Sequence, residues 1–242
     1  MTVSENTSAW YQPEPSATLL ERRQTDWQLV EIFQHPDYGN QLVIDHDLQI
    51  SEADFAYNTA MTAPLLAVPE CQEVAILGGG DGGVMNELLA AYDRLEKSLG
   101  QVTLIDIDGD VIDLCRQYLP RCCGTAFEDP RSEVIVGDAF GWLEQARGLD
   151  AVIYDLTMDP VREGISRSEF MQDIFGKIHD SLRPGGVVSL QACGEWQPDR
   201  RQLLEELRGN LDERFDAPLE QVVMVPSYGE MWTFLAARKP PA

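Results

Sequence analysis

From residue 73 onward, short apolar runs alternate with longer segments suited to helices. The runs EVAIL (73–77), QVTLID (101–106), SEVIVG (132–137), LDAVIYD (149–155) and GVVSLQ (186–191) read as strands. Most are continuously apolar, as expected when both faces of a sheet are covered. The last stretch, QVVMVPSYGEMWTFLAARK, offers two strands joined by a short turn, an antiparallel finish to an otherwise parallel sheet. Before residue 73 the pattern differs. WQLVEIFQ (27–34) and NQLVIDHDLQI (40–50), joined by the turn-forming HPDYG, predict a small antiparallel β unit. SEADFAYNTAMTAPLL then supplies a capping Ser51 and apolar spacing suited to a helix. Residues 1–25 lack periodicity and contain Pro13 and Pro15, which predicts an arm that is mobile or docks on a partner. The expected division is an arm over 1–25, the β unit with the start of its helix over 26–66, and a doubly wound α/β domain over 67–242.

Composition narrows the ligand class. A chain of 242 residues can bury a full core as one α/β domain with an appendage. Its 41 acidic and 18 basic residues, net charge -23, argue against nucleic acid or an anionic membrane surface as a partner and favour cations. No apolar run approaches membrane-spanning length, and the polar, acidic start MTVSENTSAWYQPEPS does not read as a signal peptide. The five scattered cysteines include no Cys-x-x-Cys pair, so neither a zinc site nor a disulfide framework is expected and a reducing, cytoplasmic compartment is. None of the three histidines has metal-ligand spacing, and no metal or prosthetic group is expected.

The most informative stretch is VAILGGGDGGVMNELLA (74–90), a buried strand that runs through five glycines and one acid into a helix. Gly78, Gly80 and Gly83 satisfy the dinucleotide-type spacing, and glycine lets a ligand approach backbone at a helix N-terminus. Asp106, at the end of the next strand, stands where an acceptor for ribose hydroxyls is expected. The acid within the loop, Asp81, would repel a pyrophosphate and welcome a cation. That fits an S-adenosyl compound, with its sulfonium and ammonium, better than NAD or FAD. Ligands of open α/β sheets sit outside the carboxyl ends of the strands, where Asp81, Asp106, Asp138 and Asp155 all fall. Like charges so crowded call for a multiply cationic ligand or for protonation. The plainer alternative is that Asp106 and Asp138 merely cap helices.

This rim resembles that of the polyamine aminopropyltransferases, the spermidine and spermine synthase family. The likeness is carried by ILGGGDGG (76–83), LIDIDGDVID, VGDAF (136–140), the aspartate-led loop at Asp155 and LRPGGVVSLQ (182–191), with WQ (27–28), YGNQLVID (38–45) and SEADFAY (51–57) before them. It covers nearly all of residues 27–239. The resemblance implies a Rossmann-like, methyltransferase-type sheet. Asp155-Leu156-Thr157, VIDLCRQYLPRCCG and VPSYGEMW (225–232) are closer to the spermine synthase branch. Carried over by position, Asp106 would hold the ribose hydroxyls, Asp138 with Ala139 the adenine end, and Gln28 with Asp81 the nucleoside and its aminopropyl tail. Asp54 and Glu230 would receive acceptor ammonium groups, Tyr57 and Tyr228 would wall the acceptor channel, and Asp155 would take the central chemical role. Asp159 is left without a role.

The implied reaction moves the aminopropyl group of decarboxylated S-adenosylmethionine, as co-substrate, to a polyamine, with release of methylthioadenosine. Spermidine is the expected acceptor, giving spermine, because Asp54, Asp155 and Glu230 offer three counter-charges. Putrescine, giving spermidine, is the alternative. A homodimer is the expected assembly. An S-adenosylmethionine-dependent methyltransferase is a more distant reading, a non-catalytic polyamine or nucleoside sensor another, and a nicotinamide-dependent dehydrogenase the least favoured because Asp81 opposes a pyrophosphate.

Overall fold

The computed structural model describes residues 14–68, 70–158 and 164–241. Two sheets form. The first is antiparallel, in the order β1 (Thr18–Gln24), β2 (Leu29–His35), β3 (Gly39–Ile44) and β4 (Asp47–Ser51). Helix α1 (Phe55–Thr62) leads from it into the second sheet. There the elements run β5 (Cys71–Gly78), α2 (Gly83–Arg94), β6 (Leu99–Asp106), α3 (Gly109–Tyr118), the short α4 (Pro120–Cys123), β7 (Ser132–Val136), α5 (Ala139–Gln145), β8 (Leu149–Asp155), α6 (Arg167–Ser181), β9 (Leu182–Gly194), α7 (Arg200–Arg214), β10 (Asp216–Val225) and β11 (Glu230–Arg238). In space the order is β10-β11-β9-β8-β5-β6-β7. Pairings among β5 to β9 are parallel, whereas β11 runs antiparallel to both β9 and β10. This is a Rossmann-like, methyltransferase-type sheet, with the antiparallel finish that the sequence pattern predicts.

The continuous apolar runs have the expected cause. In β5, Val74, Ala75, Ile76 and Leu77 are all 0–1% exposed. Val74 and Ile76 join the core shared with α1 to α4 and the first sheet, and Ala75 and Leu77 join the core under α5, α6 and α7. A strand covered on both faces cannot alternate in polarity. The order reverses at β5, whose neighbours are β6 on one side and β8 on the other, so the C-terminal ends of three strands meet at a topological switch point. Register puts Gly78 opposite Asp155 there.

The N-terminal part departs from expectation. The predicted arm contains a strand, β1, paired with β2 from Thr18↔Gln34 to Gln24↔Leu29. Its side chains are half-buried or exposed and include Glu21, Arg22 and Arg23, as suits an edge strand, and this masks the alternation that would reveal it. Residues 1–13 lie outside the described residues. The run 40–50 is two strands rather than one: Asp45 and His46 take positive φ, 48° and 65°, and make a tight hairpin turn between Ile44 and Asp47.

Candidate active site

The glycine loop is shaped by the carboxylates around it. Gly78, Gly79 and Gly82 have φ of 81°, 72° and 75°, a region closed to most side chains. Gly80 and Gly83 do not, and their need for glycine is steric. A Cβ on Gly80 would lie 2.7 Å from Asp106 Oδ2, and one on Gly83 would lie 2.8 Å from Asp81 Oδ1. Sequence reading attributed these glycines to ligand approach; the fold adds that two strand ends press Asp106 and Asp155 against the loop.

Three of the predicted acids converge here. Asp106 Oδ2 accepts the Gly80 N–H at 3.0 Å and Oδ1 accepts the Asp108 N–H at 3.0 Å, while burial raises its pKa above the usual carboxylate range. Asp81 Oδ1 accepts the Gly83 N–H at 2.8 Å, and burial pushes its pKa up to about 6. Asp155 ends β8 with Oδ1 accepting from the Tyr57 hydroxyl at 2.5 Å. Burial first, then the neighbouring Asp81 carboxylate, pushes it up to about 7. Asp81 and Asp155 thus form a pair of carboxylates whose proton affinity lies near neutrality. Tyr57 is 7% exposed, and burial and Asp155 hold its own proton far above the usual phenol range, so the hydroxyl is a permanent donor.

Aromatic residues wall the space beside Asp155. Tyr57 meets Phe234 and Tyr228 edge-on at ring-centroid distances of 5.0 and 6.4 Å, and Tyr228 meets Trp232 at 4.9 Å. The Tyr228 hydroxyl donates to the Gln49 carbonyl. Gln191, which the motifs did not single out, lies in the same wall: Nε2 donates to the Leu156 carbonyl at 2.9 Å and Oε1 accepts from Trp232 Nε1 at 3.1 Å. Asp108 was also missed. Buried at 2% exposure, it accepts from Thr25 Oγ1 at 2.7 Å and Gln28 Nε2 at 3.0 Å, and so ties the first sheet to the end of β6. Its sequence signal, the second acid of LIDID, was hidden behind Asp106.

Other predicted residues are engaged elsewhere. Asp54, 1% exposed, accepts from Ser51 N–H at 2.7 Å, Ser227 N–H at 2.9 Å and Ser227 Oγ at 2.5 Å. Its carboxylate braces the turn between β10 and β11. Glu230 folds over Gly194, with Oε2 accepting the Trp196 N–H at 3.0 Å. Asp138 is exposed and caps α5 by accepting the Phe140 N–H at 2.9 Å, with Ala139 beginning that helix. Capping leaves its other oxygen available. Among the described residues no group of side chains has metal-binding geometry, and Asp159 lies outside them.

Fold and rim together define a Rossmann-like, methyltransferase-type chain whose strand ends are acidic. The family model described as spermine/spermidine synthase domain matches residues 54–241. A polyamine aminopropyltransferase from Pyrobaculum aerophilum is 34% identical over 88% of this chain and 72% of its own length. Spermidine synthase 2 from Arabidopsis thaliana is 34% identical over 87% of this chain and 60% of its own. The crystal structure of spermidine synthase from Thermotoga maritima superposes with a TM-score of 0.77 at 25% identity, covering 93% of this chain and 73% of that one. A spermidine synthase in complex with the transition-state analogue AdoDATO gives a TM-score of 0.76 at 26% identity, with the same coverage. The chain belongs to the spermine/spermidine synthase family, and it is an enzyme of the polyamine aminopropyltransferase class.

Proposed function

We propose that this protein transfers the aminopropyl group of decarboxylated S-adenosylmethionine to putrescine, giving spermidine and methylthioadenosine. The observation that carries the reading is Asp155: a carboxylate with raised pKa at the switch point, fixed by the Tyr57 hydroxyl and facing a second acid, Asp81. In the reaction a neutral amine of the acceptor attacks the methylene on the sulfonium, the N–C bond forms, the C–S bond breaks, and methylthioadenosine leaves uncharged. An alkylammonium with a pKa of about 10 is almost wholly protonated at neutral pH, so the difficult step is its deprotonation. Asp155 takes that proton and passes it to water. In the same reading Asp106 holds the ribose hydroxyls, the outward oxygen of Asp138 and the Ala139 backbone meet the adenine, Gln28 and Asp81 take the nucleoside and its aminopropyl tail, and Tyr57 and Tyr228 wall the acceptor.

The shorter acceptor is preferred for a structural reason. Spermidine was expected because three carboxylates would pair with its three ammonium groups. Asp54, buried, already accepts three hydrogen bonds from Ser51 and Ser227, and one oxygen of Glu230 is held by Trp196. The relatives named spermidine synthase support the same choice. The test is an end-point assay with decarboxylated S-adenosylmethionine and each amine, read by mass spectrometry. Faster conversion of spermidine than putrescine returns the enzyme to the spermine-forming reading, and methyl transfer from S-adenosylmethionine overturns both. We also propose a cytoplasmic homodimer. Five buried free thiols suit a reducing compartment, and the edge strand β10 exposes Leu219, Val222 and Met224 to 44–50%. A monomeric mass by light scattering removes the dimer.

A further inference from the structure

We propose that Cys122 is a positioning residue, which from α4 fixes the Asp81 carboxylate so that its second oxygen meets the ammonium of the aminopropyl donor. The inference rests on the donor reading above, in which Asp81 receives that nitrogen. Asp81 Oδ1 accepts both the Gly83 N–H at 2.8 Å and the Cys122 thiol at 3.4 Å, so these two donors from other residues converge on one oxygen of the carboxylate. The terminal torsion of an aspartate is broad, so a carboxylate held by one neighbouring backbone donor can swivel. A second donor from a separate element stops it.

Cys122 is built to serve as that donor. It is 4% exposed, its carbonyl accepts from Asn86 Nδ2 on α2 at 3.0 Å, and the preceding Arg121 N–H donates to Glu52 Oε1 at 3.0 Å. Helix α4 is thereby pinned to both α2 and the loop before α1. A Cβ on Gly83 would fall 2.7 Å from Cys122 Sγ, 2.8 Å from Asp81 Oδ1 and 2.7 Å from Asn58 Nδ2. Three polar side chains thus close around the first residue of α2, and the contact of thiol with carboxylate requires glycine there. The other titratable groups that act on or feel Asp81 are Asp106, Asp155, Tyr57, Tyr228, Cys115 and Cys123, all neutral or anionic. Neutral donors and the α2 N-terminus therefore hold Asp81 ready for a cation. Burial and Asp81 push the Cys122 thiol well above its ordinary range, so it keeps its proton at neutral pH and donates.

Two ligands separate aiming from packing. Decarboxylated S-adenosylmethionine carries the ammonium, and methylthioadenosine does not. By calorimetry, Cys122→Ala should weaken the former about five- to tenfold and leave the latter within about twofold, while Cys122→Ser should restore both. An equal loss on the two ligands, no loss, or failure of serine to restore makes Cys122 a packing residue and overturns the proposal. Asp81→Asn tests the reading beneath. If it leaves the ratio of the two affinities unchanged, the assignment of Asp81 falls; if it lowers the ratio and Cys122→Ala does not, Cys122 alone falls. Should the alanine variant fail to fold, the S–H stretching band of the wild-type protein decides. A band assigned to Cys122 by its loss in Cys122→Ser should shift with decarboxylated S-adenosylmethionine and not with methylthioadenosine, and an unmoved band overturns the proposal.

Discussion

Asp155 carries the most testable chemistry of any single residue. Asp155→Asn keeps the size and the contact with Tyr57 but cannot accept a proton, so turnover should fall about 10²–10⁴-fold while methylthioadenosine binding stays within a few fold. Turnover near that of wild type removes the base role. The same carboxylate makes a stability prediction. Its pKa in the folded state is raised to about 7, above that of the unfolded chain, so the native state favours the protonated form. Its contribution is full below the ordinary carboxylate pKa and is lost as pH rises through about 7. In the ligand-free protein, Asp155→Asn should therefore stabilise more at pH 8 than at pH 5, by on the order of 1–3 kcal/mol, since part of the contribution is already lost at pH 5. Denaturant unfolding at the two pH values checks the sign. Asp155 itself was legible in the sequence as the acid ending a continuous apolar strand. Its partner in the hydrogen bond was not, because Tyr57 lies 98 positions away and only the fold brings the two together.

Elements join through buried aspartates that motif reading could not rank. Asp108 caps α3 and accepts from Thr25 and Gln28 of the first sheet, so Asp108→Ala should lower stability by about 1–3 kcal/mol and weaken donor binding through the loosened Gln28. Donor affinity equal to that of wild type would confine Asp108 to folding. Asp54 tests the opposite case. With three donors from Ser51 and Ser227 on its carboxylate, Asp54→Ala should cost about 1–3 kcal/mol of stability, and the putrescine KM should change less than it does for a channel residue such as Tyr228→Phe. A large KM effect with normal stability would return Asp54 to the acceptor site. The strands from β5 onward were readable because burial on both faces leaves an unbroken apolar run. Strand β1 was not, since an edge strand with charged, exposed side chains shows no such pattern.

For the whole molecule, the net charge of -23 predicts how substrates arrive. A polycationic acceptor should be steered to the acidic rim, so kcat/KM for putrescine should fall several-fold as salt rises from about 20 to about 300 mM, through shortening of the Debye length. Binding of uncharged methylthioadenosine should hardly change, and a flat salt profile for putrescine would show that net charge serves solubility alone. Sequence by itself determined the alternation of strands and helices from β5 onward, the glycine loop, the acids at the strand ends and the likeness to the spermidine and spermine synthase family. These follow from local periodicity and from spacing within one segment, which the chain displays without being folded. Tertiary structure decided which acids meet and which are engaged by other segments. Asp106, Asp81 and Asp155 meet at the switch point, whereas Asp54 is hydrogen-bonded to the turn at Ser227, 173 positions away. Availability of a carboxylate depends on donors supplied by distant segments. No local pattern contains that information.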